Sequence, residues 1–264
     1  MTQGAIPVER WNLIEQELAA RDYVRTLDLV DKLDVSVETV RRDLASMESK
    51  GLLVRVRGGA VGGNRTREEA SYVERSVSDQ SKKSAIGIAA AELVKNNAVI
   101  VIDVGTTALH LVKSLRSDFT GLIITNSLQA AAMASERLEC EVMVIGGKLR
   151  SGDMAISGNR GKEFLKDFCP DVSFLGSGGI CSSTGLTDYH YEEVELRRTM
   201  IEISARSWAL VDSTKFNKVA PFRVSGLNSL TGIITDTRPP SDLVDVFTEF
   251  GGEIVVGHRT DAPS

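Results

Sequence analysis

Apolar residues in the first fifty positions follow a helical period. The stretches "VERWNLIEQELAARDY" and "TLDLVDKL" place apolar residues three or four positions apart, so each predicts a helix. A third stretch, "VETVRRDLASM", puts Val37, Val40, Leu44 and Met47 on one buried face, with Ser36 as its N-terminal cap. The pattern therefore predicts three short helices in succession.

The polar face of the third helix and the stretch after it have a different character. Ser36, Thr39 and Arg42 face outward with Arg41 beside them, and "LLVRVRGGAV" alternates apolar and basic residues as a small β-hairpin does. Together these parts form the pattern of a winged helix-turn-helix, whose second helix enters the major groove of DNA. The alternative for the same pattern is a small solvated helical bundle.

Farther along, short apolar runs alternate with helical stretches. The helical stretches include "SAIGIAAAELV", "TTALHLVKSL", "SLQAAAMASERL" and "YEEVELRRTMIEISA". The runs that predict strands are "AVIVIDV", "GLIITN", "EVMVIGG", "VSFLGSGGI", "WALVDS", "GIITD" and "EIVVG". Because strands alternate with helices, the sequence predicts an α/β domain with a mostly parallel sheet.

A polar stretch that begins with two glycines, "GGNRTREEASYVERSVSDQSKK", separates the two patterns. We place a linker at residues 62–75 within it. The predicted organisation is a winged helix-turn-helix domain at residues 1–61 and a larger α/β effector domain at residues 76–264.

Charge is informative only when it is taken by segment. The chain of 264 residues has 42% hydrophobic residues, a net charge of −5 and a pI near 5.4, which do not indicate a nucleic-acid-binding protein. Between residues 41 and 67, however, the acids are Asp43 and Glu48 alone, and the bases are Arg41, Arg42, Lys50, Arg55, Arg57, Arg65 and Arg67. A local basic patch therefore coincides with the predicted DNA-binding motif.

Cysteine and histidine positions bear on the cellular compartment. Three cysteines without metal or redox spacing favour a reducing cytoplasm, and three dispersed histidines form no ligand cluster. Neither a secretory signal nor an apolar stretch of membrane-spanning length is evident. We expect a cytoplasmic protein with no metal, no cofactor and no membrane partner.

Small, polar or cationic residues follow five of the predicted strands. Because ligands of such sheets bind beyond the carboxyl ends of the strands, we expect a pocket there. Hydroxyls, backbone amides and a cation suit a small anionic polyol. The segments are "DVGTT" at residues 103–107, "TNS" at 125–127, "GGKLR" at 146–150, "GSGG" at 176–179 and "DSTKF" at 212–216.

Simpler interpretations stay open for single residues of these segments. Lys215 could be a surface charge, and Asp103 could cap the turn that follows it. His190 and Tyr191 could suggest catalysis, but a solvated helix start is favoured because no nucleophile or metal partner is visible.

The N-terminal motif resembles that of the DeoR family of bacterial transcriptional regulators. Residues 34–61 contain, in order, the family's Val-Ser turn, Thr-[Val/Ile]-Arg-Arg-Asp-Leu, Gly-Leu and Arg-x-x-Gly-Gly-Ala. The resemblance implies that Arg41 and Arg42 face DNA and that Asp43 is structural, orienting an arginine. The predicted DNA-binding residues are Ser36, Thr39, Arg41, Arg42, Lys50, Arg55 and Arg57.

The rest of the chain continues this resemblance over roughly residues 70–235. "DVGTT", "TNS", "GGKLR", "GLT", "RRTMI" and "DSTKF" are similar to successive motifs of the family's effector domain. This implies a fold related to ribose-5-phosphate isomerase and coenzyme A transferases, and a phosphorylated sugar as effector. The implied effector-binding residues are Asp103, Gly105, Thr106, Thr107, Asn126, Ser127, Gly146, Gly147, Arg150 and Lys215. One departure is that Gly178 replaces the acid of the family's Gly-Ala-Asp-Gly, which removes an expected carboxylate.

These observations predict a DNA-binding transcriptional regulator. We expect a repressor of a carbohydrate-utilisation operon that is relieved by a phosphorylated sugar, and a homo-oligomer, because paired DNA half-sites need paired subunits. One alternative is a sugar-phosphate isomerase or transferase with an accessory helical domain, although the missing acid at Gly178 speaks against an isomerase. A protein–protein adaptor is a weaker alternative because of the basic patch.

Overall fold

The computed structural model describes residues 7–20, 23–49, 52–56, 58–62 and 69–258. The chain forms two compact units, residues 1–67 and 68–264. Residues 69–75, which we had predicted to be linker, lie in the second unit, and a helix begins at Tyr72. The reason is a capping box, in which Ser71 and Glu74 each accept the other's backbone N–H.

The first unit combines three helices with a small antiparallel sheet of strand order β1-β3-β2. Its elements are α1 (Pro7–Ala20), β1 (Tyr23–Arg25), α2 (Thr26–Leu33), α3 (Val37–Ser49), β2 (Leu53–Val56) and β3 (Gly59–Gly62). The three predicted helices and the hairpin are confirmed. Strand β1 was not predicted, because three residues are too few to show alternation and its pairing with β3 is long-range.

The core of the first unit is built by the predicted apolar faces. Val40, Leu44 and Met47 of α3 are buried, and so are Ile14 and Leu18 of α1. This complete local core leaves the opposite side of α3 in solvent.

The second unit is organised by a seven-stranded parallel sheet of order β15-β14-β12-β9-β4-β5-β6. These strands are β4 (Val99–Ile102), β5 (Leu122–Thr125), β6 (Glu141–Val144), β9 (Val172–Leu175), β12 (Ser207–Val211), β14 (Gly232–Thr235) and β15 (Glu253–Val256). Each of the seven apolar runs contributes one of them, so the α/β prediction is confirmed.

Helices cover both faces of this sheet. They are α5 (Gln80–Glu92), α6 (Thr106–Ser114), α7 (Leu128–Arg137), α8 (Asn159–Leu165), α9 (Tyr191–Ile203) and α10 (Ser241–Glu249), whereas α4 (Tyr72–Val77) buries none of its residues. In β4, Ile100 and Ile102 face one apolar cluster with α5, α6 and α7, whereas Val101 faces the other with α9 and α10. Alternation along a strand therefore serves two cores at once.

Two smaller sheets complete the second unit. Strands β10 (Gly179–Cys181), β11 (Gly185–Asp188) and β13 (Phe222–Ser225) pair antiparallel, and β7 (Lys148–Leu149) pairs with β8 (Ile156–Ser157). The run "VSFLGSGGI", predicted as one strand, divides into β9 and β10, because the chain turns at Gly176 after the parallel sheet ends. No helix of the described residues is long and apolar enough to cross a membrane.

Candidate functional site

The outward side of α3 carries the predicted DNA-reading residues. Arg41 and Arg42 are exposed, and Arg42 lies 3.8 Å from Glu38, one turn earlier. Ser36 caps the helix by accepting the backbone N–H of Thr39 at 3.1 Å, and the two hydroxyls lie 2.9 Å apart. The start of α3 therefore presents hydroxyls and guanidinium groups to solvent.

Asp43 fixes α3 to the rest of the first unit. Its buried carboxylate accepts hydrogen bonds from Arg10 Nε at 2.6 Å, Arg10 Nη2 at 3.0 Å and Trp11 Nε1 at 3.2 Å. Asp43 therefore has the structural role expected of it, because it binds side chains of α1. The arginine that it orients is Arg10 rather than Arg41 or Arg42. The outward arginines keep their freedom as a result.

The hairpin β2–β3 is joined to α3 through Glu48. This carboxylate accepts the backbone N–H of Arg55 at 2.8 Å, and the Arg55 guanidinium lies 3.9 Å away, half exposed. Arg55 is therefore held beside the end of α3. The predicted contacts Lys50 and Arg57 lie outside the described residues.

A cavity of about 170 Å³ lies in the second unit beyond the carboxyl ends of the strands. Of the ten predicted effector residues, five line this cavity: Gly105, Thr106, Thr107, Arg150 and Lys215. Other charged residues of its wall are Glu69, Arg75, Asp79, Lys83, Asp153, Asp188, Glu193, Arg197, Asp212 and Lys218. The cavity is thus far more charged than the sequence motifs indicated.

One side of the cavity suits an anion. The first residues of α6, Thr106 and Thr107, line it, and the first N–H groups of a helix have no acceptor within the helix. Gly105, with φ of 145°, makes the turn into this helix. Burial lowers the pKa of Lys83 and of Lys215, against the opposing effect of Asp212 on both. An anion here would relieve the desolvation of two ammonium groups.

The opposite side is an ion-pair cluster centred on Arg197 of α9. Its buried guanidinium pairs with Asp103, Asp188 and Glu193. Asp103 also accepts the backbone N–H of Gly176 at 2.9 Å. Asp103, predicted to hold the effector, therefore contacts Arg197 and does not line the cavity, because the buried guanidinium needs its charge.

Arg150 extends this cluster across the cavity wall. Its guanidinium pairs with Asp153 and with Glu193. Burial, aided by the neighbouring carboxylates of Asp188 and Asp103, outweighs the arginines and raises the pKa of Glu193 to about 7. The cluster therefore holds a carboxyl group that titrates near neutral pH.

The remaining predicted residues stand apart from the cavity. The β7–β8 hairpin folds back over the end of β5, where Ile156 donates its backbone N–H to the Asn126 carbonyl at 2.8 Å. Ser127 caps α7 by accepting the Ala130 N–H at 3.2 Å. Gly146 and Gly147 lead into the same hairpin. Asn126, Ser127, Gly146 and Gly147 are therefore not among the residues that line the cavity.

Gly178 has a structural explanation. A Cβ atom there would lie 2.9 Å from Cα of Asp188 and 2.9 Å from the ring of Tyr189, so this backbone has no room for an acid. Asp188, on the adjacent strand β11, supplies a buried carboxylate to the cavity wall instead.

The sequence motifs missed most of the charged residues of the cavity, although a signal exists for three of them. Glu193 and Arg197 are four residues apart on the face of α9 that also buries Val194 and Met200, which is the spacing of a helical ion pair. Lys83 precedes Ile86 by three residues on the buried face of α5. A charged residue in register with buried apolar ones indicates a buried functional group.

The chemistry available in the cavity is anion binding among charged groups. Within the described residues, no three histidine, cysteine, aspartate or glutamate side chains are arranged to hold a metal ion. Phosphate would find N–H donors and lysines on one side, and hydroxyl groups would find carboxylates on the other.

Family models match both units. The DeoR-like helix-turn-helix domain matches residues 10–66, and the DeoR C terminal sensor domain matches residues 78–237. The matched regions contain the exposed face of α3 and most of the cavity wall.

Curated relatives match over nearly the whole chain. The HTH-type transcriptional repressor CsqR of Escherichia coli (strain K12) is 32% identical over 90% of this chain and 91% of its own length. The glycerol-3-phosphate regulon repressor of the same strain is 30% identical over 91% and 95%. Among solved structures, ribose 5-phosphate isomerase A of Methanocaldococcus jannaschii superposes with a TM-score of 0.39 at 20% identity, covering 52% of this chain and 54% of that one.

Proposed function

Because this chain belongs to the DeoR family of transcriptional regulators, we propose that it represses a carbohydrate-utilisation operon and releases its operator when it binds a phosphorylated sugar. The observation that carries the proposal is the exposed face of α3, where Arg41 and Arg42 remain in solvent although the unit has a complete core. Thr39 and Arg42 read bases, whereas Arg41, Lys50, Arg55 and Arg57 contact phosphates.

The effector site lies in the cavity of the second unit. The start of α6 and Lys215 hold the phosphate, and Arg150 lies on the opposite side among carboxylates that suit sugar hydroxyls. One relative supports this chemistry by name, since it is a glycerol-3-phosphate regulon repressor. The protein acts in the cytoplasm as a dimer or higher homo-oligomer on paired half-sites.

The test begins with the DNA. Fragments selected by the full-length protein from a random duplex library would supply an operator, and fluorescence anisotropy would give its affinity. Replacing both Arg41 and Arg42 with alanine should abolish sequence-specific binding without lowering the melting temperature. Operator affinity equal to that of the unaltered protein would refute the assignment of α3.

The effector is found by thermal shift with pentose, hexose and glycerol phosphates, because a ligand that binds the folded state raises the melting temperature. The compound with the largest shift should weaken operator binding by about 5- to 150-fold, the usual size of such coupling. If the compound instead tightened operator binding, the proposed effector site would stand, but the effector would promote DNA binding rather than weaken it.

A sugar-phosphate isomerase is the second candidate, because Glu193, with a pKa of about 7, shares a cavity with the lysine Lys215. Against it, both carboxylate oxygens of Glu193 face arginines, Arg150 and Arg197, so Glu193 is not placed to accept a proton from a substrate. We propose binding without turnover. Incubation of the protein with pentose and hexose phosphates, followed by NMR, should show no isomerisation; turnover near about 1 per second would favour the enzyme.

A further inference from the structure

Lys83 is the most buried cation on the anion side of the cavity, and no sequence motif drew attention to it. Only 3% of the residue is exposed. Its ammonium group donates to the carbonyl oxygens of Arg75 and Ser78, the latter at 2.9 Å. A lysine has three N–H donors, and the described residues supply no acceptor for the third.

The two carbonyl groups belong to residues 69–79, which we call the entry segment because it is the first described part of the second unit. Glu69, Ala70, Arg75, Ser78 and Asp79 of this segment line the cavity. The entry segment therefore forms one wall of the cavity and immediately follows the chain that leads from the DNA-binding unit.

Polar contacts hold the entry segment in place. Its helix α4 buries none of its residues. Besides the two bonds from Lys83, Tyr72 Oη donates to Gln129, and Glu69 lies 3.5 Å from His190 Nε2. Segments with few buried apolar contacts open at low free-energy cost, so the state of Lys83 matters to this one.

A second observation places Lys83 in the anion site itself. It lines the cavity together with Thr106 and Lys215, and Lys215 is among the charges that act on it. A buried and a half-buried ammonium group that repel each other beside a helix N-terminus favour an anion between them.

We propose that Lys83 is a second cationic ligand of the effector's phosphate: its third N–H donates to the phosphate, and the phosphate then draws the ammonium group away from its two hydrogen bonds to the entry segment. A charge-assisted hydrogen bond to phosphate is roughly twice as strong as one to a neutral carbonyl, so the phosphate wins the competition. The carbonyls of Arg75 and Ser78 then lose their anchor. The site would thus loosen the segment that leads to the DNA-binding unit.

This inference deepens the proposed function and rests on it for the meaning of the released segment. A ligand shifts an equilibrium only by interacting differently with its two states. Lys83 provides such a difference, because an ammonium group that moves toward the phosphate moves away from the carbonyls of Arg75 and Ser78. Lys215 donates no hydrogen bond to the described entry segment and is only attracted to Glu69 through charge, so its loss should weaken phosphate binding far more than operator binding.

Hydrogen exchange of the full-length protein, with and without saturating inorganic phosphate, tests the release. Phosphate should speed amide exchange in peptides from residues 69–79 and slow it in peptides from 103–109. Unchanged or slower exchange at 69–79, with protection at 103–109, would overturn the proposed release.

Single lysine variants distinguish the proposed role of Lys83 from the roles of the nearby Lys82 and Lys215. Lys83→Met should weaken phosphate binding by about tenfold or more, since one charge-assisted contact is lost. The same variant should bind operator more weakly without any phosphate, whereas Lys215→Met should lose phosphate and keep operator affinity. Lys82→Met removes the adjacent ammonium and is the matched control for phosphate affinity; because Lys82 pairs with Asp79 of the entry segment at 3.0 Å, it is not a control for operator affinity.

Lys83→Arg keeps the charge and should restore part of the phosphate affinity. Phosphate affinity of Lys83→Met equal to that of Lys82→Met would overturn the role of Lys83 as ligand. If Lys83→Met does not fold, Lys83→Arg and the exchange experiment decide. A wild-type protein that selects no DNA would defeat the proposed function but leave the phosphate measurements as a valid test of Lys83.

Discussion

Arginines are used in opposite ways in the two units. Arg42 on α3 has 79% of its side chain exposed and a single acid 3.8 Å away. Arg197 on α9 has 3% exposed and three carboxylates around it. Both lie on helices that pack a buried face, but Arg42 is on the exposed side of α3 whereas Arg197 is on the buried side of α9.

The difference shows what each arginine is available for. A guanidinium in solvent has little to lose when it moves onto DNA, because exposed ion pairs contribute little to stability. A guanidinium buried among carboxylates is committed to the fold, and removing it leaves uncompensated charges. The contacts of a basic residue in a regulator are therefore a better guide to its role than the sequence motif that contains it.

Removal of Arg197 should have the largest effect on stability. Arg197→Met leaves Asp103, Asp188 and Glu193 without their shared cation, which should lower the free energy of unfolding by about 3–5 kcal/mol. Urea unfolding followed by fluorescence of Trp208 in a Trp11→Phe background would report the second unit alone. Arg116→Met, at an exposed arginine, is the control and should unfold as the parent does.

Removal of Arg42 should produce the converse result. Arg42→Ala should cost about 1–3 kcal/mol of operator binding and relax the preference at one base pair, because a base contact is lost. Its unfolding curve should match that of the parent. Selection of operators with the variant would check this, and an unchanged base preference would reassign Arg42 to phosphate contact.

Glu193 makes the stability of the second unit depend on pH. The pKa of Glu193 is raised to about 7 in the folded state. The stability that the protonated Glu193 contributes is therefore fully present below the pKa that Glu193 has in the unfolded chain, and it is lost as pH rises through about 7. In this window the free energy of unfolding should fall by up to about 1.4 kcal/mol per pH unit because of Glu193, and Glu193→Gln should remove that dependence. Urea titrations from about pH 5 to pH 8 measure it. Equal slopes for Glu193→Gln and the exposed control Glu192→Gln would contradict the titration.

Arg55 should show the smallest change. As a phosphate contact on the hairpin, it should weaken all DNA sequences alike when replaced with alanine and reduce the salt slope of binding by about one. Anisotropy titrations across a salt series, on operator and on unrelated duplex, would measure this. A loss confined to the operator would make Arg55 a base-reading residue.

The sequence was sufficient to predict an element and its buried face wherever the determining interactions are local. Five of the seven apolar runs became the inner strands of the parallel sheet because a strand buried on both faces must be continuously apolar, whereas the edge strands β6 and β15 are only partly buried. The apolar period of α3 fixed its buried side, and with it the exposure of Arg41 and Arg42. The small residues of Gly105–Thr107 likewise predicted a helix start that lines the cavity.

Tertiary structure decided which charges meet. Asp103 and Arg197 are far apart in sequence, and only the order of strands in the sheet brings them together as an ion pair. The pairing of β10 with β11 closes the space at Gly178 and places the carboxylate of Asp188 at the cavity instead. Long-range contacts of this kind leave no periodic trace in the sequence. The pattern thus determined the elements and their buried faces, whereas the partners of each buried charge were fixed only when the elements packed.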